Sequence, residues 1–338
     1  MSAEPVLDVR NLHVYIGTPR GAVRAVQDVS LQVGRAQALG VVGESGSGKS
    51  MMARAVMGTL PPRAVCSGTV LFKGRDLLSL PRKERGEIWG KQVAMVFQDP
   101  GRSLNPVVRV ERQLTEGMRK LLGVGRSEAR GRAVELLKEV GVPDPERRLS
   151  AYPHELSGGM RQRVMIAIAL ACEPDLLIAD EPTTALDVTI QRQILDLLRR
   201  VQRDRGMSLL LISHDLAVVA GQTDRVAVMY AGRLAEIGST RRVFGSPRHR
   251  YTHALLEATP TLQHDRAAPL RLIPGTLPDP TDPPEGCRFV TRCAHAGDAC
   301  LDPGPRMEPV APDHHVACVS PVNGHAAVGS EGVGTGGR

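Results

Sequence analysis

One segment constrains the fold of this chain more than any other: the glycine-rich run GESGSGKS at residues 43–50. It follows a short apolar run predicted as a strand. A predicted helix begins at Lys49 and should stop at Pro61 and Pro62, because proline cannot continue it. Glycines in this setting let backbone N–H groups curve around phosphate groups, and the helix N-terminus adds positive potential. The pattern predicts a phosphate-binding loop, the phosphate loop below, made of Gly43, Glu44, Ser45, Gly46, Ser47, Gly48, Lys49 and Ser50.

A phosphate loop requires a carboxylate to help hold magnesium, and residues 176–181, LLIADE, supply an apolar strand that ends in two acids. We expect Lys49 to bridge the β- and γ-phosphates of ATP and the Ser50 hydroxyl to bind Mg²⁺. Asp180 would hold Mg²⁺ directly or through water, and Glu181 would be the base that orients the attacking water. By themselves, two acids could merely cap the next helix; together with the phosphate loop they indicate catalysis.

A second anion site is predicted at the signature segment, residues 156–162, whose sequence LSGGMRQ begins a helix with a serine and two glycines. This segment resembles the signature of ATP-binding-cassette (ABC) ATPases. Three further motifs stand where that family has them: Gln98 after a strand, Asp187 after the two acids, and His214 at the end of the next strand. The resemblance extends from about residue 7 to residue 238.

This resemblance implies that two cassettes pair head to tail and enclose two ATP molecules between phosphate loops and signature segments. Gln98 would contact Mg²⁺ and the water, and His214 the γ-phosphate, although an isolated histidine is more often structural. Asp187 would lie at the dimer interface, and Met51 would extend the ATP-binding set. The residues implied to contact the nucleotide of the partner are Ser157, Gly158, Gly159 and Gln162.

The adenine contact departs from the family pattern, which places an aromatic residue in the first strand region. The matching position is Ile16, and Tyr15 precedes it by one residue. Either the strand shifts so that Tyr15 stacks on adenine, or adenine has only apolar contacts. A core role for Tyr15 fits the sequence equally well.

The chain also resembles a narrower group, the ATPase subunits of oligopeptide and dipeptide importers. The resemblance is carried by FQDP at 97–100, SLNP at 103–106, YPHE at 152–155, MYAG at 229–232 and GCRF at 286–289. The phosphate loop favours the first of the two different ATPase subunits of such importers. The implied partners are a second cassette, two transmembrane permeases and, indirectly, an extracytoplasmic peptide-binding protein. Two alternatives remain: an importer ATPase for nickel or another small solute, or a soluble ATPase that works without a permease.

Four of the six cysteines cluster near the C-terminus with the spacing C-x5-C-x6-C-x17-C. Zinc sites usually have closer pairs, and ferredoxin spacings do not match either. Four clustered thiols suggest a metal without naming it, and the resemblance to the peptide-importer group favours a 4Fe–4S cluster. Zinc and four free thiols remain open. The cysteines are Cys287, Cys293, Cys300 and Cys318.

We therefore expect an α/β fold with a RecA-like core at residues 1–98 and 172–245, an N-terminal antiparallel β-subdomain and an inserted helical subdomain at 99–171. A C-terminal extension with the cysteine lobe would occupy residues 246–320, with a proline-rich linker at 260–284, and residues 321–338 would be disordered. No apolar run reaches the ~20 residues of a membrane span, and no signal peptide is evident. These features predict a cytoplasmic location, and the resemblance to importer ATPases implies a peripheral protein on the cytoplasmic face of the membrane.

The net charge of +7 would permit contact with nucleic acid. However, the arginines are scattered, and aromatic residues make up only 3% of the chain, too few for a base-stacking surface. We therefore expect no nucleic-acid partner.

Overall fold

The computed structural model describes residues 4–184, 186–259, 272–301 and 303–322. Among these residues, no helix combines the length and the hydrophobicity that a bilayer crossing requires. The strands are β1 Leu7–Thr18, β2 Gly21–Val33, β3 Ala38–Val42, β4 Ala64–Phe72, β5 Arg75–Asp76, β6 Val93–Val96, β7 Leu176–Asp180, β8 Ser208–Ser213, β9 Arg225–Tyr230, β10 Arg233–Ser239, β11 Glu308–Ala311 and β12 His314–Val316. The α-helices are α1 Lys49–Val56, α2 Arg82–Arg85, α3 Pro100–Ser103, α4 Val110–Leu121, α5 Arg126–Glu139, α6 Pro145–Leu149, α7 Gly158–Leu170, α8 Val188–Arg205, α9 Leu216–Ala220, α10 Thr240–Gly245 and α11 Arg250–Glu257.

The central sheet places the predicted catalytic motifs along one edge. Its strand order is β11-β12-β10-β9-β3-β8-β7-β6, and β9, β3, β8, β7 and β6 are parallel. Carboxyl ends of parallel strands lie at the same edge, where open α/β sheets bind their ligands. The phosphate loop, Gln98, Glu181 and His214 each follow the end of one of these strands.

Two apolar layers cover this sheet, and the alternation of side chains within one strand shows why both are needed. Leu39 and Val41 of β3 pack into the cluster shared with the N-terminal strands, whereas Ala38 and Val42 pack into the cluster shared with the helices. A strand buried on both faces must be apolar throughout, and every residue of β3 is buried. On one side lies the antiparallel sheet β2-β1-β4-β5, and on the other α4, α5 and α7 form a helical layer. The predicted α/β fold is confirmed.

Helix α1 is shorter than the sequence predicts, because a glycine ends it before the prolines do. We expected the helix to continue to Pro61, but it ends at Val56. Gly58 has a φ of 62°, and the N–H groups of Gly58 and Thr59 donate to Ala55 and Arg54 carbonyls (3.1 and 2.9 Å). This is the hydrogen-bond pattern of a Schellman motif, in which glycine takes the left-handed position. A Cβ atom at Gly58 would lie 2.1 Å from the Trp89 ring.

Part of the C-terminal extension continues the central sheet. The alternating pattern of residues 225–238 around Ala231 and Gly232 predicts a hairpin, and β9 and β10 form it, with φ values of 43° and 84° at these two residues. Strand β12 pairs antiparallel with β10, and β11 with β12, so chain beyond residue 300 extends the sheet. Residues 260–271 of the predicted linker and 323–338 of the predicted tail lie outside the described residues.

Candidate functional site

The phosphate loop follows a path that only glycine permits at two of its positions. Gly43 and Gly48 have φ values of 153° and 99°, and a Cβ atom there would lie 2.0 Å from the Met229 carbonyl oxygen and 2.2 Å from the Ala25 carbonyl oxygen. Both positions therefore combine a backbone conformation unfavourable for other residues with a close approach of two chain segments. The N–H of Gly232 also donates to the Ser47 carbonyl (3.0 Å), so the β9–β10 turn supports the loop.

Lys49 is held inside the loop by oxygen atoms of the loop itself. Its Nζ donates to the carbonyls of Gly43 (2.7 Å) and Glu44 (2.8 Å) and to Ser47 Oγ (3.1 Å). Burial lowers the pKa of Lys49, while the nearby carboxylates of Glu181, Asp180 and Glu44 oppose that shift. The ammonium group is therefore placed by short contacts rather than left on a flexible stem.

Ser50 and Asp180 lie together, as the sequence predicts for a magnesium site. Ser50 Oγ donates to Asp180 Oδ1 at 2.8 Å, although 130 residues separate them in the chain. Asp180 is only 4% exposed, and its burial raises the pKa of its carboxyl group. A hydroxyl and a carboxylate in contact are a pair of hard oxygen ligands suited to Mg²⁺.

The Glu181 carboxylate is the meeting point of three other side chains. Its Oε2 accepts hydrogen bonds from Gln98 Nε2 (2.9 Å) and Thr184 Oγ1 (3.0 Å), and His214 Nδ1 lies 3.3 Å away. The backbone of Glu181 has a φ of 45°, a left-handed conformation that is uncommon outside glycine and clusters at functional sites. The three predicted catalytic residues therefore lie in one group, and Thr184, which the sequence did not single out, is its fourth member.

Glu181 and the three side chains around it border a cavity of about 730 Å³. Ile16 and Val23 form an apolar part of its wall, whereas Tyr15 is not among the lining residues and instead stacks against His13, with ring centroids 6.2 Å apart. Leu277 and Pro280 also line the cavity, although their proline-rich segment was predicted to be only a linker. From the phosphate loop and the residue after it, the wall includes Ser45, Gly46, Gly48, Lys49, Ser50 and Met51.

Glu44 turns away from this cavity and binds the C-terminal extension. Arg292 Nη1 donates to both Glu44 carboxylate oxygens (2.9 and 3.1 Å) and to Tyr230 Oη (3.2 Å), and the arginine side chain is only 5% exposed. The N–H of Glu44 donates to Tyr251 Oη at 2.9 Å. Burial raises the pKa of Tyr251, so its hydroxyl stays protonated. The extension is thus attached to the phosphate loop by an ion pair and a hydrogen bond.

The signature segment lies outside the cavity that the phosphate loop borders. Ser157 caps α7 by accepting a hydrogen bond from the Met160 N–H (3.3 Å), and its side chain is exposed. Gly158 and Gly159 follow it at the start of the helix and are half-buried. Gln162 differs from them, since it is only 1% exposed and lies within the chain rather than on its surface. Asp187 caps α8 through the Ile190 N–H (3.0 Å).

The four C-terminal cysteines do not form the predicted metal site. All four border one narrow cavity, but within the described residues no group of three or more His, Cys, Asp or Glu is arranged to hold a metal ion. Because no such group is present among those residues, the 4Fe–4S prediction is wrong. Burial raises the pKa of Cys287 to about 11 and also raises that of Cys318, so both are protonated at neutral pH in this structure. Cys287, Cys293, Cys300 and Cys318 are free thiols in this structure.

Comparison with known families agrees with this geometry. The ABC transporter family matches residues 26–184, and the oligopeptide/dipeptide transporter C-terminal region matches residues 235–300. The first match contains the phosphate loop, Gln98, the signature segment and Glu181. The second contains Tyr251 and Arg292, the residues that attach the extension to the phosphate loop.

Similar proteins extend the match over most of the chain. The oligopeptide transport ATP-binding protein OppD of Bacillus subtilis is 47% identical over 313 residues, covering 92% of this chain and 87% of the relative. The dipeptide transport ATP-binding protein DppD of the same species is 48% identical over 317 residues, covering 93% of this chain and 94% of the relative. A solved dimeric ATP-binding cassette, MJ0796 with ADP and Pi, aligns with a TM-score of 0.63 at 26% identity, covering 70% of this chain and 99% of that one. The chain belongs to the ABC transporter ATPases, in the group that carries the oligopeptide/dipeptide transporter C-terminal region.

Proposed function

We propose that this chain is the ATP-hydrolysing subunit of a peptide importer and couples ATP binding and hydrolysis to uptake of oligopeptides or dipeptides through a membrane permease. The observation that carries the proposal is the joining of two parts. A cassette with a phosphate loop, a serine–aspartate pair suited to Mg²⁺ and a candidate base bears, attached to its phosphate loop through Glu44 and Arg292, the C-terminal region typical of oligopeptide and dipeptide transporters. Relatives named for transport of these peptides match both parts at 47–48% identity.

The site fits ATP and Mg²⁺ by the chemistry of its donors. The glycines of the phosphate loop allow the close backbone path that cradles phosphate groups, and Lys49 would bind them as a point charge. Ser50, Asp180 and Gln98 would hold Mg²⁺, which when bound neutralises negative charge on the phosphates. Ile16, Val23 and Leu277 offer the apolar wall against which adenine would pack.

Glu181 would hold and orient the attacking water. Gln98 and Thr184 donate to one of its oxygens, which fixes the carboxylate plane, and His214 approaches the same oxygen. The carboxylate would accept a proton from the water, while Gln98 would position the water and His214 would contact the terminal phosphate. All four groups stand at the edge of the sheet where the phosphate loop begins.

We further propose that the active unit is a head-to-tail pair of cassettes, with Asp187 at the interface. Ser157, Gly158 and Gly159 begin α7 outside the cavity that the phosphate loop borders, so they are free to face the nucleotide of a second chain. The similar cassette MJ0796 was solved as a dimer. The second cassette would be a different subunit, and the pair would lie on the cytoplasmic face of the membrane against two permeases. A peptide-binding protein outside the membrane would act on it indirectly.

Uptake of a radiolabelled tripeptide by cells that carry the complete transporter tests this function. Cells with Glu181→Gln should lose uptake, while cells with Glu128→Gln, a change on the exposed face of α5, should retain it. The same cells are given radioactive nickel in parallel. If nickel uptake depends on Glu181 and peptide uptake does not, the substrate of the transporter is nickel rather than a peptide. If uptake of neither solute depends on Glu181, the chain is not the ATPase subunit that drives either importer.

A further inference from the structure

A second cavity lies where the antiparallel sheet, strand β10 and the C-terminal extension meet. Its volume is about 560 Å³, within the range of pockets that bind small organic molecules. None of its lining residues also lines the nucleotide cavity. Nothing in the proposed ATPase cycle uses it.

Positive charge dominates the wall of this cavity. Arg233 comes from β10, and Arg288 and Arg306 come from the C-terminal extension. The single lining carboxylate is Asp28, whose Oδ1 accepts a hydrogen bond from Asn11 Nδ2 at 2.7 Å. Three guanidinium groups against one engaged carboxylate leave the cavity electropositive.

Arg288 is the most informative of these residues, because it is buried without enough acceptors. It is only 4% exposed, and one of its nitrogens donates to Gln27 Oε1. Its Nε and Nη1 have no hydrogen-bond partner among the residues that the structure describes, and the same holds for Arg233 Nε. Burial, reinforced by Arg233 and Arg24, lowers the pKa of Arg288 to about 10. Buried donors of a cation are normally satisfied, since an unpaired one loses its hydration without compensation.

We propose that this cavity is a binding site for a small organic anion that presents carboxylate or phosphate oxygens to Arg288 and Arg233. Oxyanions match the planar fork of a guanidinium group, which binds them through two parallel N–H donors. An oxyanion would also counter the charge that Arg233 and Arg288 impose on each other. Arg306, which is exposed, would contribute long-range attraction at the rim.

Equilibrium dialysis of the full chain tests the site, with radiolabelled sulfate as the phosphate-like probe and radiolabelled succinate as the carboxylate probe. The protein is first saturated with Mg²⁺ and ADP, because the phosphate loop itself binds oxyanions. We expect one bound anion per chain under these conditions. Binding of sulfate alone would indicate a phosphate ligand, and binding of succinate alone a carboxylate ligand.

Variants connect the bound anion to the cavity. Arg288→Gln should weaken binding about 10- to 100-fold, the effect of one charge-assisted hydrogen bond. Arg306→Gln should weaken it about two- to fivefold, as for an exposed charge. Arg148→Gln is the matched control. Arg148 also has a buried Nε without a partner among the described residues, but it lies in α6 and does not line this cavity. Replacing Arg148 should therefore leave anion binding unchanged.

If Arg288→Gln does not fold, the affinities of Arg288→Lys and Arg306→Gln for the two probes decide whether the anion binds in this cavity. Arg288→Lys keeps the charge but loses the fork, so it should bind more weakly than the parent and still measurably. Absence of binding by both probes to the ADP-saturated parent would overturn the proposal. So would affinity that is the same in the parent, Arg288→Lys and Arg306→Gln.

Discussion

At the scale of single residues, the candidate active site is organised around one carboxylate oxygen. Glu181 Oε2 accepts hydrogen bonds from Gln98 and Thr184 and lies 3.3 Å from His214 Nδ1. Gln98, Glu181 and His214, the three predicted catalytic residues, thus meet at one point from the ends of three parallel strands. The left-handed backbone of Glu181 directs its side chain there, at a cost of order 1–3 kcal/mol that the surrounding hydrogen bonds must offset. Its backbone conformation and three neighbouring side chains therefore all act on the position of the Glu181 carboxylate.

Glu181→Gln should preserve ATP binding and lower ATP turnover about 10²- to 10⁴-fold, the usual effect of removing a general base. The amide keeps the size of the side chain but cannot accept the proton of the water. Steady-state ATPase rates in the assembled complex, together with nucleotide affinity from a binding titration, measure the two effects. Glu128→Gln on α5 is the control. Parent-like turnover in the Glu181 variant would refute the assignment.

The residues of the site that the sequence predicted are those that stand in motifs. Lys49, Ser50, Asp180 and Glu181 follow predicted strands, and the edge of a parallel sheet brings such positions together. The contact between Glu44 and Arg292 could not be predicted, because 248 residues separate its members and a single arginine has no periodic pattern. The 4Fe–4S prediction failed because closeness in sequence does not fix how the thiols are arranged in space.

Arg292 is one of the residues that attach the C-terminal extension, and Arg292→Gln should lower the free energy of unfolding by about 1–3 kcal/mol through loss of charge-assisted hydrogen bonds. Urea denaturation of the full chain measures the change. Arg102→Gln is the control, because the Arg102 side chain is 92% exposed and its ion pair with Asp99 should contribute less than about 1 kcal/mol. Equal stability of the two variants would show that the Glu44 contact does not hold the extension in place.

At the scale of secondary-structure elements, helix α11 begins at a buried histidine. His249 Nδ1 accepts the Tyr251 N–H at 3.0 Å and so caps the helix, while the His249 N–H donates to Glu236 Oε2 at 2.9 Å. Glu236 is completely buried and also contacts His314 Nε2 at 2.6 Å. The start of α11 is therefore connected through one carboxylate to β10 and β12.

This cap makes stability depend on pH. Burial lowers the pKa of His249 to about 4, against an ordinary value of 6.5, although Glu236 opposes the shift. Between these two values the unfolded chain binds a proton that the folded chain does not, so stability contributed by neutral His249 is present above pH 6.5 and is lost as pH falls toward 4. The loss is at most about 3 kcal/mol at 1.36 kcal/mol per pKa unit.

His249→Asn tests this dependence, because asparagine can accept the Tyr251 N–H as a helix cap but does not titrate. We expect the melting temperature of the variant to fall less steeply than that of the parent between pH 6.5 and pH 4. Comparing slopes separates the titration from any constant loss of stability. His295→Asn, at an exposed position in the extension, is the control and should keep the parent slope. Parallel curves for parent and His249 variant would contradict the prediction.

The elements themselves were predictable where local chemistry decides them. The strands that end in motifs and the hairpin at Ala231 and Gly232 follow from apolar runs and turn residues. The end of α1 was predicted at the wrong helix-terminating residue, because Gly58 ends the helix before Pro61 is reached. Pairing of β12 with β10 could not be predicted, because a three-residue strand carries no pattern that identifies its neighbour.

At the scale of the whole molecule, the chain does not bring its phosphate loop and its signature segment together. The phosphate loop borders one cavity, and the exposed Ser157 stands outside it at the start of α7. In the head-to-tail pair that we propose, the signature segment of a second cassette would complete this site. We therefore expect the activity of the protein to depend on assembly.

The ATPase rate per chain should rise with protein concentration and with addition of the permeases. Ser157→Arg should block activity by preventing the approach of a partner while ATP binding by the variant persists, because Ser157 does not line the cavity of its own chain. Ser127→Arg, at an exposed position of α5, is the control and should behave as the parent. Full activity of the parent in a sample shown to be monomeric by native mass spectrometry would refute the paired site.

The contact between Glu44 and Arg292 also limits how this chain can be recombined with its relatives. Glu44 occupies a position of the phosphate loop whose side chain does not line the nucleotide cavity, so ATP binding alone places little demand on it. A chimaera that joins this extension to a cassette with another residue there would leave a nearly buried guanidinium group without its carboxylate. Cassette and extension are therefore best exchanged as a matched pair, and substitutions at these two positions should be tolerated together more readily than one at a time.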